Sequence, residues 1–213
     1  MTTPFSAGPQ ALGYLYQVRY SLFSLLTDDR EEASLIIEGL DDISISGDGL
    51  LTLDQLKHHV KGSANLTNSS PEMWKTLRVW GQSLLNGDWQ PEDVSLNLIT
   101  TAEAPINTVA ALLRKTGDRN EDKALELLRS ISNESDNANL ASSFNVFKAL
   151  SSQQQRSLIR AITIIDGSKN ITNIVNDIKK KLRLSVSASH IDALYERLEG
   201  WWFNKAIDHI INE

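Results

Sequence analysis

Between residues 7 and 26 apolar side chains return every three or four positions. Ala11, Tyr14, Leu15, Val18, Leu22, Leu25 and Leu26 form one stripe, the period of an amphipathic helix. Gln17, Ser21 and Ser24 make a polar strip beside it. After a polar connector over 27–32 the period changes. Leu35-Ile36-Ile37 is an unbroken apolar run, which suits a strand covered on both faces, and Ile43 and Ile45 then alternate with Asp42 and Ser44, which suits a half-buried one. Gly47-Asp48-Gly49 is turn chemistry, so the run that closes on Gln55-Leu56-Lys57 reads as the second arm of a hairpin. A Ser/Asn/Thr-rich loop over 63–70 leads into a helix with Ser70 as N-cap and Pro71 at its first position. Met73, Trp74, Leu77, Trp80, Leu84 and Leu85 carry its apolar face, and Asn86-Gly87-Asp88 ends it. Val94 to Thr101 alternates again, as a fourth strand.

Beyond Pro105 the pattern is helical throughout, with segments expected over 106–115, 120–131, 138–150, 152–165, 171–182 and 189–211. Ser151 and Ser189 sit where N-caps belong. The expected class is α/β, with an α/β core over 1–116 and an all-helical part over 117–213. Ile171, Ile174, Val175, Ile178 and Leu182 form a one-sided stripe. One helix face cannot bury all of Trp201-Trp202-Phe203, which marks the last helix as a docking or self-association element.

Composition narrows the class. At 213 residues with 41% hydrophobic and 23% charged positions, the chain suits one large domain or one with an appendage. The first ten residues lack a basic n-region, and no apolar run approaches the ~20 residues a membrane span needs. A soluble cytoplasmic protein without a membrane partner is expected. With no cysteine, disulfides and thiolate metal sites are excluded. Residues 1–116 carry 8 Lys+Arg against 14 Asp+Glu, and 117–213 carry 13 of each. That balance argues against tight, non-specific DNA binding by a free chain.

The densest chemistry lies between Leu35 and His59. Gln55 and Lys57 are two apart on a strand and share a face. If the neighbouring strand pairs in register, an Asp of the Asp41-Asp42 pair lies opposite them, and carboxylate, amide oxygen and ammonium converge as a metal-and-phosphate site. Asp42 is the preferred metal ligand, with Glu38, Asp41 and Gln55 as further ligands; which acid points inward stays open, as does a role for both as simple strand-edge solubilisers. Gln17 can face the same site. His58, Lys61, Lys75, Arg78 and the Lys179-Lys180-Lys181 cluster are candidate DNA contacts, although a solvated helix face accounts for Lys75 and Arg78, and favourable charge at a helix C-terminus for the lysine cluster, without any DNA. There is no HExxH, P-loop, GxGxxG or GxSxG pattern, so zinc-protease, nucleotide-cofactor and serine-hydrolase chemistries lack their usual signatures.

Three stretches in order carry a resemblance: Gly13-Tyr14-Leu15-Tyr16-Gln17, Glu38 to Ile43, and Gln55 to His58. Together they resemble the PD-(D/E)XK nuclease superfamily, and more closely the double-stranded DNA endonuclease domains at the front of bacterial anti-phage effectors of the CBASS and Lamassu or ABC three-component types. The resemblance covers roughly residues 7–102. It implies a restriction-endonuclease-like core, a mixed sheet flanked by helices, and metal-dependent DNA cleavage with Mg2+ or Mn2+. Asp42, Gln55 and Lys57 then match the catalytic motif, with Gln17 approaching the metal or its waters. It also implies partners: double-stranded DNA, other defence subunits such as an SMC-like ABC ATPase or a C-terminal sensing domain, and further copies of the chain. Gln55 departs from the carboxylate usual at its position, which should make metal affinity modest. A catalytically silent nuclease-fold module, or a stand-alone restriction or repair nuclease, are the alternatives.

Overall fold

The computed structural model describes residues 8–59, 64–117 and 119–212. They group into two compact units, Met1–Asp48 with Lys169–Glu213, and Gly49–Ser168. The fold is α/β. Its five strands are mixed in sense, an antiparallel pair in the first unit and a parallel three in the second, flanked by helices and followed by a helical C-terminal part. No described helix is long and apolar enough to cross a membrane.

The first unit contains α1 (Gly8–Thr27), β1 (Ser34–Ile37) and β2 (Ile43–Gly47) from the front of the chain, and α7 (Ile174–Leu182) and α8 (Ile191–Asn212) from its end. The α1 stripe buries Val18 and Leu22 as expected, but its phase is rotated towards Tyr16 and leaves Leu15 exposed. The Tyr16 hydroxyl donates to the Lys169 carbonyl at 2.9 Å, so a polar tip is satisfied where the ring is buried. β1 and β2 pair antiparallel, Leu35 opposite Ile45 and Ile37 opposite Ile43. Ile37 is buried, whereas Ile36 between them is exposed. The apolar run 35–37 is therefore covered on one face, not on both, because alternation decides which side chains meet the helices. Leu22, Ile178, Leu182 and Tyr195 form one cluster of this unit, and Val18, Ile37 and Ala206 another. The Trp202 indole donates to the Val18 carbonyl at 3.0 Å and the Ser21 hydroxyl at 2.9 Å. Of the aromatic run only Trp201 is exposed.

The second unit contains β3 (Leu50–Lys57), α2 (Pro71–Asn86), β4 (Val94–Thr100), α3 (Val109–Leu112), α4 (Glu121–Glu134), α5 (Ala141–Ala149), α6 (Ser152–Ala161) and β5 (Ile162–Ile165). Strands β3, β4 and β5 are parallel, with Leu53 level with Leu96 and Leu96 level with Ile162. Trp74 and Trp80 of α2 are fully buried in this core, Trp74 edge-on to Phe144 with ring centroids 4.6 Å apart. Gly87 closes α2 at φ 80°, the left-handed cap that glycine adopts without strain. Ser151 caps α6 with a full capping box to Gln154. Ser70 has N-cap backbone but no capping side-chain bond; its hydroxyl is taken by the Thr67 amide at 2.7 Å.

Three expectations are corrected here. The helix expected over 152–165 ends at Ala161, and Ile162-Thr163-Ile164-Ile165 becomes a fifth strand. Four β-branched residues in succession are stiff at χ1 and suit a pleated sheet better than a helix, and β4 offers them a parallel neighbour. The helix over 106–115 shrinks to Val109–Leu112, since Asn107 stands at φ 66° and Thr108 caps the turn that follows. The compact units also do not divide at residue 116. Helices α3 to α6 belong with β3–β5, whereas α7 and α8 belong with α1 and β1–β2.

An ion pair ties β5 to the loop after β4. Asp166 accepts from Arg114 Nε at 2.8 Å, from Arg114 Nη2 and from the Ala104 amide at 2.7 Å, and Arg114 also donates to the Ala104 carbonyl at 2.7 Å. Burial alone would raise the Asp166 carboxyl, but Arg114 and the Ala104 N–H outweigh it and hold the group below its ordinary value. A carboxyl depressed in the folded state contributes stability above its unfolded pKa and loses it as pH falls through the folded one. Asp166→Ala should therefore cost about 2–3 kcal/mol at neutral pH, and the difference from the parent in urea melts should shrink as pH drops below the ordinary carboxylate range. An equal difference at every pH would contradict this account.

Candidate active site

Gln55 and Lys57 lie where the alternation places them, on one face of β3. Gln55 is level with Leu98 and Lys57 with Thr100, and Gln55 shares the face of Leu53, which is packed in the core of the second unit. Asp54 and Leu56 take the opposite face. There Asp54 accepts from the Asn97 side-chain amide at 2.8 Å. This part-buried pair, level across β3 and β4, was not singled out from the sequence, because the parallel register that brings its members together is set by the fold.

Gln55 is buried and Lys57 half-buried. Among the described residues the Lys57 ammonium forms no ion pair. In a chain of net charge -6, a half-buried ammonium left without a carboxylate is a suitable place for an anion from outside. The strand's carboxyl end is tightly knit. The Thr101 amide donates to the Lys57 carbonyl at 3.2 Å, the His59 amide donates to the Thr101 hydroxyl at 2.8 Å, and His59 Nε2 lies 3.0 Å from Glu72. This fixes the backbone on which Lys57 stands. Ligands of parallel sheets commonly bind beyond such carboxyl ends. Burial pushes the His58 imidazole below its ordinary range, and neighbouring His59 adds to the shift. His58 is thus a neutral ring near pH 7, suited to a hydrogen bond and not to a cationic phosphate contact.

The remaining members of the motif belong to the first unit. Glu38 and Asp41 to Asp42 lie in the link between β1 and β2, where Glu38 takes φ 59° and donates its amide to the Asp42 carbonyl at 3.0 Å. Asp41 is buried and accepts from the Asp42 amide at 3.0 Å; Asp42 is half-buried and Glu38 exposed. The buried Gln17 Oε1 and Ser44 Oγ have no hydrogen-bond partner among the described residues. An orphaned amide acceptor signals an absent donor, such as a water or a cation.

Among the described residues no three His, Asp or Glu side chains gather as a metal-holding group. Asp41 and Asp42, adjacent in the first unit, are oxygen donors of the kind Mg2+ takes, an ion that binds through one or two carboxylates and keeps several waters.

Of the candidate DNA contacts, Lys61 lies outside the described residues. Lys75 and Arg78 are exposed on α2, Arg78 with a long 3.5 Å contact to Ser142. Lys179 is engaged by Asp192 at 2.7 Å and by the face of Tyr195, and Lys180 by Asp177 at 3.3 Å, leaving Lys181 exposed. The basic cluster is thus largely spent within the first unit.

No protein-family model and no curated protein sequence matches the chain. Among solved structures it is similar to the Acinetobacter baumannii Cap4 SAVED/CARF-domain containing receptor. One structure of that receptor and another with the cyclic trinucleotide 3'3'3'-cAAA each give 16% identity and a TM-score of 0.51, over 92% of this chain and 43% of that one. The form with 2'3'3'-cAAA gives 17% identity and 0.51, over 92% and 41%. The likeness is one of fold. This chain spans about two fifths of the length of those receptors.

Proposed function

We propose that this chain is the metal-dependent, double-stranded DNA endonuclease part of an anti-phage defence effector, with activity governed by partner subunits or by assembly. The observation that carries the reading is the half-buried Lys57, without an ion pair among the described residues, two residues from Gln55 on one face of a strand whose carboxyl end is fixed by hydrogen bonds. Two facts support the setting. The three motifs stand in the order of the defence endonucleases they resemble, and the fold is shared with a cyclic-trinucleotide receptor more than twice as long.

In this reading Asp42, with Glu38 or Asp41, would hold Mg2+ or Mn2+, which when bound would supply an activated water and charge neutralisation at the phosphate. Gln55 orients the attacking water through its amide oxygen but adds no negative charge. Lys57 places its ammonium against the phosphoryl oxygens, where charge builds as the water oxygen joins phosphorus and the P–O bond to the leaving sugar oxygen breaks. The acidic surface keeps intrinsic DNA affinity low, so cutting waits on assembly that multiplies the contacts.

A silent interaction module of the same fold is favoured by one observation, the absence of a three-residue acid or histidine group among the described residues. Plasmid incubation separates the two readings. Conversion of supercoiled DNA to nicked or linear product with Mg2+ or Mn2+ is expected. Intact plasmid at high protein concentration, with either ion, would leave the silent module.

A further inference from the structure

Helix α8 carries a second stripe besides the one that packs in its own unit. Ala193, Arg197, Gly200, Asn204, Ile207 and Ile211 follow one another at alternating steps of four and three residues, a spacing that gathers them on one helix face, with Ala193, Ile207 and Ile211 as its apolar members. All six are exposed, Ile207 at 51% and Ile211 at 74%. Gly200 stands inside the helix, where glycine is about 1 kcal/mol less favourable than alanine. A Cβ there would meet nothing within 4 Å, so nothing among the described residues requires the glycine. Beside it Trp201 is 52% exposed. A bare backbone point followed by isoleucines fits a second helix lying close across it.

Charge identifies that helix. Arg197 and Asp208 are exposed on the same edge of the stripe and form no ion pair among the described residues. In an antiparallel arrangement centred near residue 202, Gly200 meets Asn204 of a second copy, Ala193 meets Ile211, and Arg197 lies beside Asp208, each contact occurring twice by symmetry. Trp201 then faces Trp201 of the second copy next to the glycine. A parallel arrangement in register would instead set Arg197 against Arg197 and Asp208 against Asp208. On charge the stripe is self-complementary in the antiparallel sense, as an isologous two-fold contact.

We infer that the outer face of α8 is an antiparallel two-fold contact between two copies of this chain. The inference stands apart from the catalytic reading. A seam of six residues a side is smaller than a standard stable interface, so the dimer is weak and concentration-dependent.

Sedimentation of the whole chain over a wide concentration range tests this. The parent should show a monomer–dimer equilibrium. Asp208→Arg should weaken it about tenfold or more by setting like charges together, and Arg197→Asp combined with Asp208→Arg should restore it. Gly200→Leu should abolish the dimer while raising the melting temperature of the monomer, a pairing of effects that simple misfolding cannot produce. A parent that stays monomeric throughout, a dimer indifferent to Gly200→Leu, or a charge swap that fails to restore association would each overturn the inference.

Discussion

Lys57→Ala is expected to lower plasmid cleavage by about 10³-fold, the size of effect seen when a preorganised charge-stabilising donor is removed from a transition state. The protein should remain folded. Lys57 is half-buried at the end of β3 and makes no ion pair among the described residues, while the strand is held through its backbone and through Leu53 and Leu56 in apolar surroundings. Truncating the side chain therefore removes little packing, and the melting temperature should shift by no more than a degree or two, consistent with a change of about 0.5 kcal/mol or less. Lys57→Arg should recover little activity, because a planar guanidinium does not replace a compact ammonium at a fixed distance from phosphorus. Gln55→Glu is the informative partner substitution: it installs the carboxylate usual in the resembled superfamily and should tighten the divalent ion. A Lys57→Ala protein that cuts at the parent's rate would remove Lys57 from the chemistry, and one that unfolds would make it a structural residue.

The local parts of this picture were legible in the sequence. Gln55 and Lys57 sharing a face follows from strand alternation alone, and α2 could be bounded from Pro71 and Gly87 because each has a specific backbone preference. What was not legible depends on contacts far apart in the chain. Residues 162–165 follow a well-capped helix without a break, so the apolar run looks like its continuation; only the parallel neighbour β4 makes it a strand. The return of α7 and α8 to α1, through Trp202 and the Val18 carbonyl 184 positions away, leaves no periodic trace. Neither does the Arg114–Asp166 pair, whose partners stand 52 positions apart. Gln17 is an instructive middle case. Its place on the polar strip of α1 was visible, but its buried, unsatisfied Oε1 is a property of the folded unit.

Removal of divalent cation should abolish cleavage completely, and the reason is electrostatic before it is catalytic. The first unit presents Asp41 and Asp42 side by side with Glu38 three positions before them, and their negative charge repels a phosphodiester unless a cation intervenes. The same acids predict a measurement that needs no DNA. If Asp42 holds the ion, Mn2+ at ten times its dissociation constant should stabilise the folded chain by about 1.4 kcal/mol, since it binds the folded state alone. Asp42→Asn should remove most of that gain, measured in a thermal melt as the difference between the metal-loaded and metal-free protein. Gln17→Ala should remove a smaller part, because an amide oxygen contributes less than a carboxylate to a hard cation. Strong cleavage in chelator would contradict the metal requirement itself. A Mn2+-induced rise in melting temperature that Asp42→Asn leaves intact would place the ion elsewhere and end the assignment of Asp42 as its ligand.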